Sequence, residues 1–164
     1  MKKLPIAKLP ALFAAMSGEK TLYIPAQDAS GVSKFAVWQE GMTLSDALNT
    51  VRSAKDLFFP QVENLMGFKV TGKQIEVLEN RDVTAPFVLF GVRACDCRSF
   101  DVLDRVFLAE PVDTYYKTRR ENGTIVTMAC TEPEETCFCG AFGIDAADPA
   151  GDVTCWMDVE SLYW

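Results

Sequence analysis

Apolar residues recur at two different periods along this chain, and each change of period marks an element. Leu9, Leu12, Phe13 and Met16 fall at helical spacing, which predicts a short amphipathic helix beginning near Pro10. Residues 21–26 read as a strand and residues 34–39 as a second, joined across a turn-rich stretch, so a hairpin is expected. Ser45 and Asp46 are capping residues placed ahead of Ala47, Leu48 and Val51, and they predict a short helix. Pro60 stops the apolar run at 57–59, and Val62, Leu65 and Met66 suggest another short helix. Gly72 precedes an alternating strand over 74–79, with Ile75 and Val77 on one face and Leu78 on the other.

The pattern then changes. Phe87-Val88-Leu89-Phe90-Gly91-Val92 is a continuous apolar run, as expected of a strand covered on both faces. It leads to Cys95, and helix-spaced Phe100, Leu103, Val106 and Phe107 follow. Asp113 is a good N-cap for a second helix through Tyr115, Tyr116, Arg119 and Arg120, which Asn122-Gly123 stops. A second buried strand over 124–129 also ends in a cysteine, Cys130. The two apolar strands should be adjacent and parallel, because helical crossovers join them. The tail, 152–158 and 162–164, reads as strand. The expected fold is α/β: a single domain over 1–164 with a mixed sheet flanked by helices, and a cysteine site at the strands' carboxyl ends, where such folds place ligands.

A length of 164 residues suits one domain. Sixteen basic against 23 acidic residues give a net charge of −7, and no basic stripe is present to bind nucleic acid or an anionic membrane surface. Lys8 interrupts the apolar N-terminal stretch, which argues against a signal peptide, and no segment is long enough to span a membrane. A reducing, cytoplasmic location is therefore expected, where six cysteines read better as ligands or redox groups than as disulfides.

Cys95-Asp96-Cys97 and Cys137-Phe138-Cys139 bracket Cys130, with Cys155 beyond. Histidine is absent, which removes Ser–His–Asp and Cys–His catalysis and every mixed Cys/His metal site. Thiolates are soft ligands, suited to zinc or to iron–sulfur clusters. Cys95 and Cys130 would come from two strand ends, and Cys137 and Cys139 from the loop 131–143. Pro133, Gly140 and Gly143 suit a backbone that curls and turns its N–H groups toward sulfur. The C-x-C spacing itself does not choose the metal. Cys155, beside Trp156 on a strand, reads as core, and Cys97 at a helix start as packed, reactive or cap-adjacent. Arg119-Arg120 reads first as a solvated helix face and second as a cationic neighbour of a cluster. Tyr115-Tyr116 and Phe58-Phe59-Pro60 read as packing.

Taken together, Gly91-Val92-Arg93-Ala94-Cys95-Asp96, Leu103-Asp104-Arg105-Val106-Phe107-Leu108, Asp113-Thr114-Tyr115-Tyr116, Arg119-Arg120-Glu121-Asn122, Cys130 and Cys137-Phe138-Cys139 form a signature. It resembles the N-terminal domain of the iron–sulfur (4Fe-4S dicluster) electron-transfer subunits found in sulfhydrogenase, as its beta subunit, and in anaerobic sulfite reductase. Tyr23-Ile24-Pro25-Ala26 and Lys55-Asp56-Leu57-Phe58-Phe59-Pro60-Gln61 are similar to that family as well. The resemblance implies an electron-relay subunit of a multi-subunit redox complex, without catalysis of its own. The family's cysteine positions fall on Cys95, Cys130, Cys137 and Cys139, while Cys97 and Cys155 are particular to this chain. After Cys139 the family has a small-residue stretch ending Gly-Thr-Gly-Pro, and this chain instead reads Gly140-Ala141-Phe142-Gly143-Ile144-Asp145. The ferredoxin-like module of such subunits is absent from the sequence, so the natural polypeptide is expected to continue into it.

The leading expectation is thus an electron-transfer domain holding a 4Fe-4S cluster on Cys95, Cys130, Cys137 and Cys139, with other redox subunits and a ferredoxin-like module as partners. A zinc-stabilised docking or assembly domain is the rival from another class. A thiol–disulfide oxidoreductase using Cys95/Cys97 or Cys137/Cys139 ranks last, because a redox pair leaves Cys130 unexplained.

Overall fold

A computed structural model of the chain describes residues 1–78 and 85–164. Its centre is a seven-stranded mixed sheet in the order β1-β9-β8-β7-β6-β2-β3. Four of these strands run parallel: β2 (Thr21–Gln27), β6 (Phe87–Val92), β7 (Gly123–Met128) and β8 (Val153–Met157). Antiparallel partners close the edges, β3 (Ser33–Val37) on one side and β9 (Ser161–Tyr163) with β1 (Lys3–Pro5) on the other. The expected α/β architecture is present, with β6 and β7 adjacent, parallel and buried.

Alternation along the parallel strands sends side chains to two cores. Leu22, Ile24, Val88, Phe90, Val126 and Met128 pack on one face against Leu9 and Phe13 of α1 (Leu9–Glu19). Phe87, Leu89 and Ile125 pack on the other, with Phe58, Phe100 of α2 (Ala94–Phe107) and Tyr116 of α3 (Thr114–Asn122). Each such aliphatic or aromatic side chain contributes about 1.5–3 kcal/mol when fully covered. The alternation breaks once, at Gly91, which has φ +87° and sits in a register shift between Phe90 and Val92. Such a bulge flips every residue after it to the other face. Val92 therefore joins Leu89 on the α2 side, and the chain is re-aimed as it leaves the sheet toward Cys95. A Cβ at position 91 would press on the Pro25 ring at 3.1 Å, a second reason for glycine there.

Asp113 caps α3 as expected, accepting from the N–H groups of Tyr115 and Tyr116 at 2.9 Å each. Two expected helices do not form. Ser45 does accept from the Ala47 N–H, but its hydroxyl also bonds that of Ser33 at 2.6 Å and its N–H goes to the Pro25 carbonyl. Tertiary partners hold this segment as an irregular wall beside β6. Residues 61–66 are likewise non-helical, because Glu63 is drawn to Arg119 and the Leu65 carbonyl accepts from the Tyr115 hydroxyl. A short 3-10 turn at Ala54–Leu57 precedes them, capped by Ser53.

The strand expected over 74–79 is β5 (Gln74–Leu78), with Glu79 outside the described residues. It pairs with β4 (Gly67–Thr71) in a separate two-stranded sheet. Phe68, Val70, Ile75 and Val77 share one face of it and are all largely exposed. Among the described residues no helix is long and apolar enough to cross a membrane. In the tail, Leu162 is buried and Trp164 packs against the α1-side core, while Trp156 and Val159 are exposed.

Candidate functional site

Because β6 and β7 are parallel neighbours, their carboxyl ends lie side by side. Cys95 stands in the first turn of α2, three residues beyond β6, and Cys130 two residues beyond β7. The following segment folds back as a compact loop. The Cys137 N–H donates to the Glu134 carbonyl at 2.9 Å, and the Glu134 N–H donates to the Cys137 sulfur at 3.3 Å. A 3-10 turn over Cys139–Phe142 ends at Gly143 in the left-handed region, φ +62°. The Cys130 N–H is satisfied by the Ala146 carbonyl and the Ile144 N–H by the Cys139 carbonyl.

Cys130, Cys137 and Cys139 line one cavity of about 390 Å³, together with Leu48, Pro133, Gly140 and Asp145. Cys95 lines a neighbouring cleft of about 100 Å³ with Arg93, Asp96, Ser53 and the wall residues 47–50. Leu48 belongs to both. The four thiols form one electrostatic group. Burial is the main reason the Cys95 thiol is pushed above its usual range, with Asp96, Cys139 and Cys130 adding repulsion and the Asp96 N–H opposing it. Cys130 is likewise raised, first by burial and then by Cys139 and Cys137, while Arg93 pulls it down.

Among the described residues, no three of the Cys, Asp and Glu side chains are gathered as a single ion's ligands would be. Three of the thiols line one cavity and Cys95 lines the neighbouring cleft. Thiolate sulfurs are soft donors, of the kind zinc and iron–sulfur groups take. An N–H to sulfur bond is already made at Cys137.

Cys97 and Cys155 lie elsewhere. Cys97 is buried on the α2 side, its thiol donating to the Ala150 carbonyl, and burial with nearby Asp101 pushes its pKa up to about 11. Cys155 is 2 % exposed in the α1-side core, and burial raises it to about 11 as well. Both are poor nucleophiles at neutral pH. The Cys95/Cys97 redox pair is therefore not formed: one thiol is exposed and the other is committed to the core.

Arg119 and Arg120 take neither role read from the sequence. Arg119 is 4 % exposed and paired with Glu63. Arg120 bonds Asp104 at 3.1 Å, which also accepts from the Tyr116 hydroxyl at 2.6 Å. The cation beside the thiols is Arg93, which the sequence displayed only as one more residue of Gly91-Val92-Arg93. Asn49, equally unremarked, donates to Glu134 at 3.0 Å and ties the wall to the cysteine loop.

No family model matches the chain, and no solved structure matches it. Over 96 residues it is 38% identical to sulfhydrogenase 2 subunit beta of Pyrococcus furiosus, a match covering 58% of this chain and 27% of that protein. The chain thus spans about a quarter of the length of the curated relative it matches. The similarity supports a relationship to hydrogenase beta subunits, as the Gly91–Asp96 and Cys137–Cys139 runs led one to expect.

Proposed function

We propose that this chain is an electron-relay domain of a hydrogenase-like oxidoreductase complex, holding a 4Fe-4S cluster through Cys95, Cys130, Cys137 and Cys139. One observation carries the reading: of the four thiols that match the family's cysteine positions, three line one cavity and Cys95 lines the cleft beside it, while the two unmatched ones are packed in the cores. The similarity to a hydrogenase beta subunit supports it. On this reading residues 1–164 are the N-terminal domain of a longer cytoplasmic iron–sulfur subunit, and its partners are a ferredoxin-like module and other redox subunits.

The bound cluster would supply one-electron redox chemistry, and the protein supplies ligands, burial and hydrogen bonds. Cys130 and Cys139, half-buried, would anchor the inner side, and Cys95 and Cys137, exposed, the outer side. The Glu134 N–H donates to the sulfur of Cys137, a bond that delocalises thiolate charge. Leu48 and Pro133 give the cavity an apolar part of its lining.

The test is anaerobic purification followed by iron, sulfide and zinc analysis. Near-stoichiometric iron and sulfide, with a broad visible absorption bleached by dithionite, is the expected result. Colourless protein with one zinc would move the reading to a docking domain, and metal-free protein that resists reconstitution would overturn both.

A further inference from the structure

Arg93 is the first residue after β6 and stands at the N-cap of α2, yet its side chain makes no cap bond. Its guanidinium turns to two other places. Nε donates to the Leu48 carbonyl at 3.2 Å and Nη1 donates to the Ala129 carbonyl at 3.2 Å. Leu48 lines the cavity of Cys130, Cys137 and Cys139, and Ala129 directly precedes Cys130. One side chain therefore joins the end of β6, the end of β7 and the irregular wall over 44–50.

Each of the three segments needs such a tie. The wall has no helix to organise it, the ladder bonds of β7 end at the Ala129 N–H, which donates to the Cys155 carbonyl, and the end of β6 has been re-aimed by the bulge at Gly91. A guanidinium satisfies several acceptors in one plane from a single rigid group, which a lysine ammonium does not reproduce. We propose that Arg93 is a positioning residue, holding the thiol-bearing ends of β6 and β7 and the 44–50 wall at the spacing a thiolate-bound metal group requires. The proposal rests on the function proposed for the four thiols, and it adds which residue sets the site's dimensions.

The experiment compares the wild-type chain with Arg93→Gln, Arg93→Lys and, as a distant control, Arg120→Gln. Two readouts are taken on metal-free protein: cobalt(II) affinity from thiolate-to-metal absorption, and amide hydrogen exchange of peptides covering 44–50 and 129–139. Arg93→Gln should weaken cobalt binding about 10–100-fold, as loss of a group that orients metal ligands does, and should speed exchange in both peptides. Arg93→Lys should recover little of either, and Arg120→Gln should leave both unchanged. Wild-type behaviour in Arg93→Gln would overturn the proposal. Full recovery in Arg93→Lys would overturn it too, because charge alone would then suffice. If Arg93→Gln fails to fold, Arg93→Lys decides by the same two readouts. Should the wild type take up neither cobalt nor iron, the functional reading falls, and unchanged exchange in Arg93→Gln would then overturn the positioning role separately.

Discussion

Cys95 and Cys97 sit in the first turn of α2, whereas Cys137 and Cys139 sit in an irregular loop, and the same spacing has different consequences in the two settings. On a helix, residues two apart point about 200° away from one another. Cys95 accordingly faces the site while Cys97 is buried against Phe100 and donates to Ala150. In the loop no such periodicity operates, and the turns on either side of Phe138 bring both thiols to one cavity while Phe138 itself stands exposed. Here a C-x-C pair turns both thiols to one cavity only where the backbone between the cysteines is free of α-helical geometry.

The largest effect that could break this comparison is on metal content. Cys130→Ser or Cys139→Ser should abolish iron retention in anaerobically reconstituted protein, since a hydroxyl is a poor replacement for a soft thiolate. Cys97→Ala and Cys155→Ser should leave iron per chain unchanged. The opposite pattern would reverse the division between site and core thiols.

A pH effect sharpens the core side. The Cys155 pKa rises from 9.0 to about 11 on folding. A thiol held neutral in the native state binds its proton more tightly there than in the unfolded chain. Its contribution is therefore complete below pH 9, is lost as pH rises toward 11, and amounts to about 2–3 kcal/mol. Urea unfolding of wild type and Cys155→Val at pH 8 and near pH 11 checks it. The difference between the two proteins should shift in favour of the variant at the higher pH, and a constant difference would count against a buried neutral thiol.

Cys97→Ala should cost about 1–2 kcal/mol, from lost packing and an unpaired Ala150 carbonyl, read as a lower urea midpoint at unchanged slope. Smallest of all, Phe138→Ser should change stability by no more than about 0.5 kcal/mol, as substitutions at exposed positions do. A larger loss in metal-free protein would mean that this ring packs more than its exposure suggests.

Much of this was legible in the residues. The runs at 87–92 and 124–129 signalled strands covered on both faces, Asp113 signalled the start of α3, and the placement of cysteines after both strands pointed to one site. The missing parts depend on contacts distant in sequence. Ser45 carries a real capping signal, but the Ser33 hydroxyl, the Pro25 carbonyl and the claim of Arg93 on Leu48 keep that segment from winding into a helix. The bulge at Gly91 has no local mark beyond a glycine in an apolar run. An arginine near a turn is ordinarily solvated, and only the side-by-side ends of β6 and β7 make Arg93 central.

The pairing of β1 with β9 gives the molecule a ring-like connectivity. Lys3 lies opposite Tyr163, and Lys2 and Trp164 exchange backbone hydrogen bonds of 2.6 and 3.2 Å. No contact in the sheet spans more of the sequence, so its formation carries the greatest loop-closure entropy and raises the contact order that slows folding. A circular permutant should relieve this. Joining residue 164 to residue 1 through a short Gly/Ser linker, and opening the chain at the exposed Gly72-Lys73 turn, makes that edge pairing local while leaving every strand neighbour in place. Such a permutant is expected to refold faster than the unpermuted chain, with the loop that carries Cys137 and Cys139 intact.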